Sequence, residues 1–195
     1  MMNVSTVRVY VLTRGEDEPE KCTAERLIRS GLAKRIYRIE DIPPQAITLN
    51  PFAKTYVKKT DRDMVRRWGI VAIDVSWKRG IKMLKELRRG VQRVIPLLIA
   101  ANPINFGKPF RLSTAEALAA ALYITGFERE AISMLRIFKW GPNFLKLNDE
   151  LLNKYREALS DDDIEMVAKT YFKLELPGNV KLLELLQRYV EDAVG

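Results

Sequence analysis

Up to about residue 101 short apolar runs alternate with amphipathic stretches, and beyond that point only amphipathic stretches remain. Val7–Leu12 alternates and is rich in β-branched residues, which predicts a strand. Thr23–Ser30 has helical spacing and stops at Gly31, a residue suited to a helix end. Short apolar pieces at Lys34–Tyr37 and Ala46–Leu49 flank Pro43 and Pro44. Thr60, with Asp63 three residues on, can cap a helix through Trp68 that Gly69 closes. Ile70–Asp74 reads as a buried strand, Gly80–Arg89 as a helix closed by Gly90, and Val91–Ala100 as a strand or extended segment. Strands that alternate with helices in this way predict a mostly parallel α/β layer.

After the loop Asn102–Arg111 the period changes. Ser113 and Glu116 form a capping box, in which hydroxyl and carboxylate satisfy each other's helix-end amides, and the Ala-rich helix that follows runs to Gly126. Further helices are predicted over Phe127–Phe138, Phe144–Leu159, Ser160–Phe172 and Val180–Ala193. The fold class is therefore α/β, with a mostly parallel sheet in an amino-terminal domain (1–96) and an all-α carboxyl-terminal domain (97–195).

Composition narrows the chemistry. Among 195 residues there is no histidine and one cysteine, Cys22. An internal disulfide, a multi-cysteine metal site, His-ligated zinc and Ser-His or Cys-His dyads are thereby excluded. Acid–base work falls to carboxylates, Lys, Tyr, backbone groups or the substrate. The net charge of +8 is uneven: residues 1–111 carry 23 Lys and Arg against 11 Asp and Glu, residues 112–195 carry 10 against 14. A basic first half suggests a polyanionic partner, the plainer alternative being cations that solvate helix faces. Lys58-Lys59, Arg66-Arg67, Lys78-Arg79 and Arg88-Arg89 together predict a phosphate-binding rim flanking the crevice. The first residues are too short and polar for a signal peptide, and the longest apolar run, Val94–Ala101, contains Pro96. No membrane partner and a cytoplasmic location are expected.

Neither a GxxxxGK[ST] phosphate loop nor a GxGxxG after a strand is present. In a parallel sheet a nucleotide-like ligand then sits beyond the carboxyl ends of the strands, on backbone groups and apolar walls. Three segments belong there. Asp74, directly after the strand, can accept a proton, orient a ligand or cap a turn, and Trp77 can form a flat wall or plug the core. Leu97–Gly107 ends an apolar strand in turn residues and can line a pocket or simply cross over. Leu112–Glu116 can hold an anion on its free amides or serve only as a helix cap. Cys22 reads as a small half-buried residue, and Phe138-Lys139-Trp140-Gly141 can stack on a base or belong to the core.

Ile73-Asp74-Val75-Ser76-Trp77, with the segments 93–122 and 137–148, resembles the ribosome-biogenesis aminocarboxypropyltransferases of archaea and eukaryotes. The likeness runs from Val7 to about Tyr155. It implies a SPOUT-like fold with a deep trefoil knot and S-adenosylmethionine in the cleft between the halves. The implied reaction moves the 3-amino-3-carboxypropyl (acp) group to N3 of a uridine or pseudouridine of small-subunit rRNA, without a metal. The implied partner is that rRNA or a pre-ribosomal particle, with the protein acting as a monomer. The basic 1–96 domain would then bind cofactor and RNA, and 97–195 would close the cleft. Carried over by residue, Thr23 lies near the acp chain, Leu49, Ile73 and Leu97 with backbone around Leu98 and Ala100 cradle adenosine, and Trp77 packs against the sulfonium methyl. Leu112, Ser113 and Glu116 close the site, and Asp74 is the candidate base, with solvent its rival. The competing readings are a SPOUT-type RNA methyltransferase and a non-catalytic rRNA-binding assembly factor.

Overall fold

A computed structural model describes residues 7–13 and 22–193, apart from the side chains of residues 77–79. The elements run β1 (Val9–Thr13), α1 (Thr23–Arg29), β2 (Lys34–Ile36), β3 (Ile47–Leu49), α2 (Arg62–Trp68), β4 (Ile70–Asp74), α3 (Trp77–Glu86) and β5 (Val91–Arg93). Helices α4 (Thr114–Ile124), α5 (Glu128–Arg136), α6 (Gly141–Leu147), α7 (Asp149–Glu157), α8 (Asp161–Phe172) and α9 (Leu182–Asp192) follow. The strands form one sheet in the order β2-β1-β4-β3-β5, and every pairing is parallel.

The apolar runs of β1 and β4 exist because both faces of the sheet are covered. Val11, Ile70 and Ala72 face the large core shared with the helical half, whereas Leu12 and Val71 face a smaller cluster with Ile36, Ile42 and Leu87. The large core is continuous from Val7 to Leu183, so the two halves share it. Register sets Thr13 opposite Asp74 at the carboxyl edge of the central strands.

Three predicted elements differ. The strand expected over Val91–Ala100 ends at Arg93, beyond which only isolated bridges, Tyr56 to Val94 and Ile99 to Pro109, occur among the described residues. Pro96 has no N–H to give a ladder. The backbone beyond it is satisfied by helix side chains instead. Tyr155 Oη donates to the Leu97 carbonyl at 2.8 Å, and Asn148 accepts from Ile99 N at 2.7 Å while its Nδ2 donates to the Ile99 carbonyl at 2.8 Å. Asn148 is fully buried at the break that divides the helix predicted over Phe144–Leu159 into α6 and α7. The third difference is small: α3 starts at Trp77, not at Gly80, and stops at Glu86.

The capping box forms as predicted, with Ser113 N donating to Glu116 Oε2 at 2.7 Å and Glu116 N to Ser113 Oγ at 3.3 Å. Gly126, at φ 87°, ends α4 in a conformation closed to most other residues. No described helix is long and apolar enough to cross a membrane.

Candidate functional site

A cleft of about 800 Å³ opens along the carboxyl edge of the sheet. Its floor is Leu49–Pro51 after β3, Ile73–Val75 at the end of β4, and Val94–Leu97 after β5. The starts of α1 and α4, the corner between α5 and α6, the loop after Asn102, and α9 wall it. This is the position the parallel topology predicts for a ligand.

The two sides of the cleft differ in chemistry. At one end β4, α1 and α4 meet through Asp74. Thr114 Oγ1 donates to Asp74 Oδ1 at 3.1 Å, and Cys22 Sγ donates to Oδ2 at 3.3 Å. One residue further along each helix, Ala115 N donates to Thr23 Oγ1 at 3.2 Å. Burial, with the Asp74 charge and hydrogen bond added, pushes the Cys22 thiol up to about 11, so it stays a protonated donor near neutrality. The rest of the lining includes the apolar side chains of Leu49, Leu97 and Leu112, with Leu183, Leu186 and Val190 of α9.

Of the residues singled out in the sequence, Thr23, Leu49, Ile73, Asp74, Leu97, Leu112 and Ser113 line this cleft. Leu98, Ala100 and Glu116 are wholly buried behind the wall. Glu116 does more than cap its helix. Its carboxylate also accepts from Ala101 N at 2.7 Å, Asn102 N at 3.0 Å and Asn102 Nδ2 at 2.7 Å, tying the loop to α4. Trp77 starts α3, but its side chain, like those of Lys78 and Arg79, lies outside the described residues.

The basic pairs require correction. Arg66 and Arg67 end α2 just before β4, and Arg88 and Arg89 lie just before β5. In a parallel sheet that sets both pairs at the amino edge, across the sheet from the cleft, so they do not flank it. Arg66 pairs with Asp63, and Arg89 is half-buried, with Nε donating to the Ile42 carbonyl at 2.8 Å. Lys58 is only 13% exposed and pairs with Asp161, which fixes the loop after β3 to α8. It is a structural latch, whereas Lys59 is exposed. Among the described residues, the cations that line the cleft are Arg26 and Lys139.

Arg26 and α9 escaped the sequence reading. Arg26 follows Thr23 by three residues, which puts the two on one helix face. Leu183, Leu186 and Val190 have the spacing of a helical stripe, which reads equally well as core. No cluster of three or more His, Cys, Asp or Glu side chains is placed to hold a metal among the described residues.

Residues 47–172 match the family model described as "Ribosome biogenesis protein, C-terminal". The 16S rRNA aminocarboxypropyltransferase of Vulcanisaeta distributa is 43% identical over 168 residues, covering 81% of this chain and 91% of that one. The protein of the same name from Methanopyrus kandleri is 44% identical over 164 residues, covering 84% and 97%. Among solved structures, the SAM-dependent rRNA:acp-transferase Tsr3 from Vulcanisaeta distributa superposes with a TM-score of 0.80 at 37% identity, covering 96% of this chain and 99% of that one. With the parallel sheet, the edge cleft and these likenesses in agreement, the chain belongs to the ribosome-biogenesis family of aminocarboxypropyltransferases.

Proposed function

We propose that this protein transfers the acp group of S-adenosylmethionine to N3 of a uridine-type base, (methyl-)pseudouridine included, in small-subunit rRNA during ribosome biogenesis. The carrying observation is an edge cleft that combines apolar walls with a polar cluster around Asp74, in a chain whose relatives bear that activity in their names. The cleft volume suits a molecule of nucleoside size, with apolar walls for the purine and a few converging polar groups for the amino acid.

S-Adenosylmethionine, when bound, supplies a sulfonium whose three neighbouring carbons are all electrophilic. Which one reacts is then a matter of positioning by the chain. In this reading Leu49, Ile73 and Leu97, with backbone near Leu98 and Ala100, surround adenosine. Trp77 covers the methyl group. Thr23 and Thr114, at the starts of α1 and α4, orient the acp chain, and Leu112 and Ser113 close over it, backed by Glu116. The acceptor base enters from the polar end. The divided roles of 1–96 and 97–195, the trefoil knot, a cytoplasmic monomer and the choice between free rRNA and a particle all belong to this proposal. Lys59, Lys78, Arg79 and the amino-edge pairs Arg66-Arg67 and Arg88-Arg89 are proposed as contacts to more distant phosphates.

Asp74 takes the N3 proton in this reading, since among the described residues it is the carboxylate that lines the cleft. Asp74→Asn is expected to lower kcat about 100-fold while leaving the affinity for S-adenosylmethionine within a few-fold. A drop in affinity with kcat unchanged would reduce Asp74 to a joint between β4, α1 and α4.

The reaction itself is tested by incubating the protein and rRNA with S-adenosylmethionine labelled in the carboxypropyl chain, and in parallel with the methyl-labelled form. Carboxypropyl label alone should enter the RNA. Methyl label alone would make the protein a methyltransferase. No label from either form, and no affinity for S-adenosylmethionine, would leave a non-catalytic assembly factor.

A further inference from the structure

The cleft wall carries two stacked aromatic rings, Phe138 and Trp140, to which the donor site proposed above assigns no role. Phe138 is 1% exposed and belongs to the core. Trp140 stacks on it, with ring centroids 5.0 Å apart and planes 30° from parallel. Trp140 itself is only half-buried, and it lines the cleft together with Phe138. The Arg26 guanidinium lies 4.6 Å from the centre of the Phe138 ring, and its Nη2 donates to the Ile137 carbonyl at 2.7 Å. Lys139, exposed between the two aromatics, also lines the cleft.

This corner is rigid. Gly141 N donates to the Phe138 carbonyl at 3.0 Å, and Pro142 follows in the first turn of α6. A Cβ at position 141 would fall far inside van der Waals contact of the Leu135 carbonyl oxygen, so the turn is packed backbone against backbone. The backbone that carries Trp140 is therefore held in place. It is also near the reacting end of the cleft. Arg26 is one helical turn from Thr23, and Cys22, at the head of the same helix, bonds to Asp74.

A preorganised aromatic face bordered by two cations is the apparatus with which proteins hold an unstacked base and its neighbouring phosphates. Packing accounts for Phe138, which is buried, whereas Trp140 lies over it only half-buried and on the cleft wall. We propose that Trp140 is the platform on which the acceptor pyrimidine stacks, with Arg26 and Lys139 facing the adjoining phosphates. This rests on the reading of the protein as an RNA acp-transferase and adds to it the place where the acceptor lies.

The test separates stacking from charge. Oligouridylate is compared with the same oligonucleotide of dihydrouridine, whose saturated ring is no longer planar but keeps its N3–H and phosphates. The wild-type protein should bind oligouridylate about 10-fold more tightly. Trp140→Leu, which keeps apolar bulk without a π face, should bind both equally, and Trp140→Phe should recover most of the preference. Affinity for S-adenosylmethionine should be the same in all three proteins, which also reports that they are folded. A preference retained by Trp140→Leu, or absent from the wild type, would overturn the assignment. Failure of the acp reading shows elsewhere, as an absence of carboxypropyl label in rRNA treated with the wild-type protein.

Discussion

Glu116→Ala is expected to destabilise the protein by about 4 kcal/mol and to abolish binding of S-adenosylmethionine. Glu116 is fully buried, and its two oxygens receive Ser113 N, Ala101 N, Asn102 N and Asn102 Nδ2. Asn102 passes the restraint on, since Nδ2 also donates to the Arg111 carbonyl at 3.2 Å and Oδ1 accepts from Asn105 N at 3.0 Å. One carboxylate thus fastens both ends of the loop that carries Asn102, Asn105, Phe110 and Leu112 into the cleft. Alanine leaves those donors buried without an acceptor, at roughly 1–3 kcal/mol for each that cannot reach water. The loop must open to hydrate them, and the wall goes with it. Glu116→Gln keeps the shape but turns an amide group towards N–H donors, so about half the loss is expected. Denaturant unfolding and calorimetric titration with S-adenosylmethionine measure the two effects. Wild-type stability in Glu116→Ala would mean that the loop is fastened by something else.

The sequence was most legible where the cause of a structure is local. The apolar run Ile70–Asp74 became the strand beside β1, and Ser113 and Glu116 formed their capping box, because neither depends on a distant partner for its type. Asn148 shows the opposite case. Its effect on the chain, the break between α6 and α7, comes from bonds to Ile99, 49 residues away, and no local pattern announces that. The further work of Glu116 was hidden in the same way, since a cap accounts for the residue before its other donors are seen. The basic pairs teach a different lesson. Arg66-Arg67 and Arg88-Arg89 directly precede predicted strands, and residues that precede a strand lie at its amino end. The pattern that predicted a parallel sheet therefore already set them on the edge opposite the cleft. Arg26 was passed over because an isolated cation carries no signal until a cleft gives it a position.

Removing residues 177–195 is expected to weaken S-adenosylmethionine binding about 100-fold. The loss follows from what α9 covers. Leu183, Leu186 and Val190 form one stripe of the cleft wall, and each apolar side chain that meets a bound purine contributes roughly 1 kcal/mol. The helix is fixed around the rim at separate points. Gln187 Nε2 donates to the carbonyls of Pro51 at 3.1 Å and Ala53 at 2.9 Å, and the Tyr189 ring meets Phe110 edge-on at 4.9 Å. At its start, Leu182 N and Leu183 N donate to the buried carboxylate of Glu165 on α8. The ion pair of Glu191 with Lys85 is nearly half exposed on both sides and adds little. Because truncation also strips Glu165 of two donors, a point variant separates wall from scaffold. Leu186 is only half-buried, so Leu186→Glu should leave the fold intact while setting a charge against the apolar side. About a 10-fold loss of affinity is expected from it, with RNA binding at low salt changed less, because none of the RNA contacts proposed above is on α9. Equal affinity for S-adenosylmethionine in Leu186→Glu and wild type would take α9 out of the binding site and leave it a structural cover, whatever the truncated protein does.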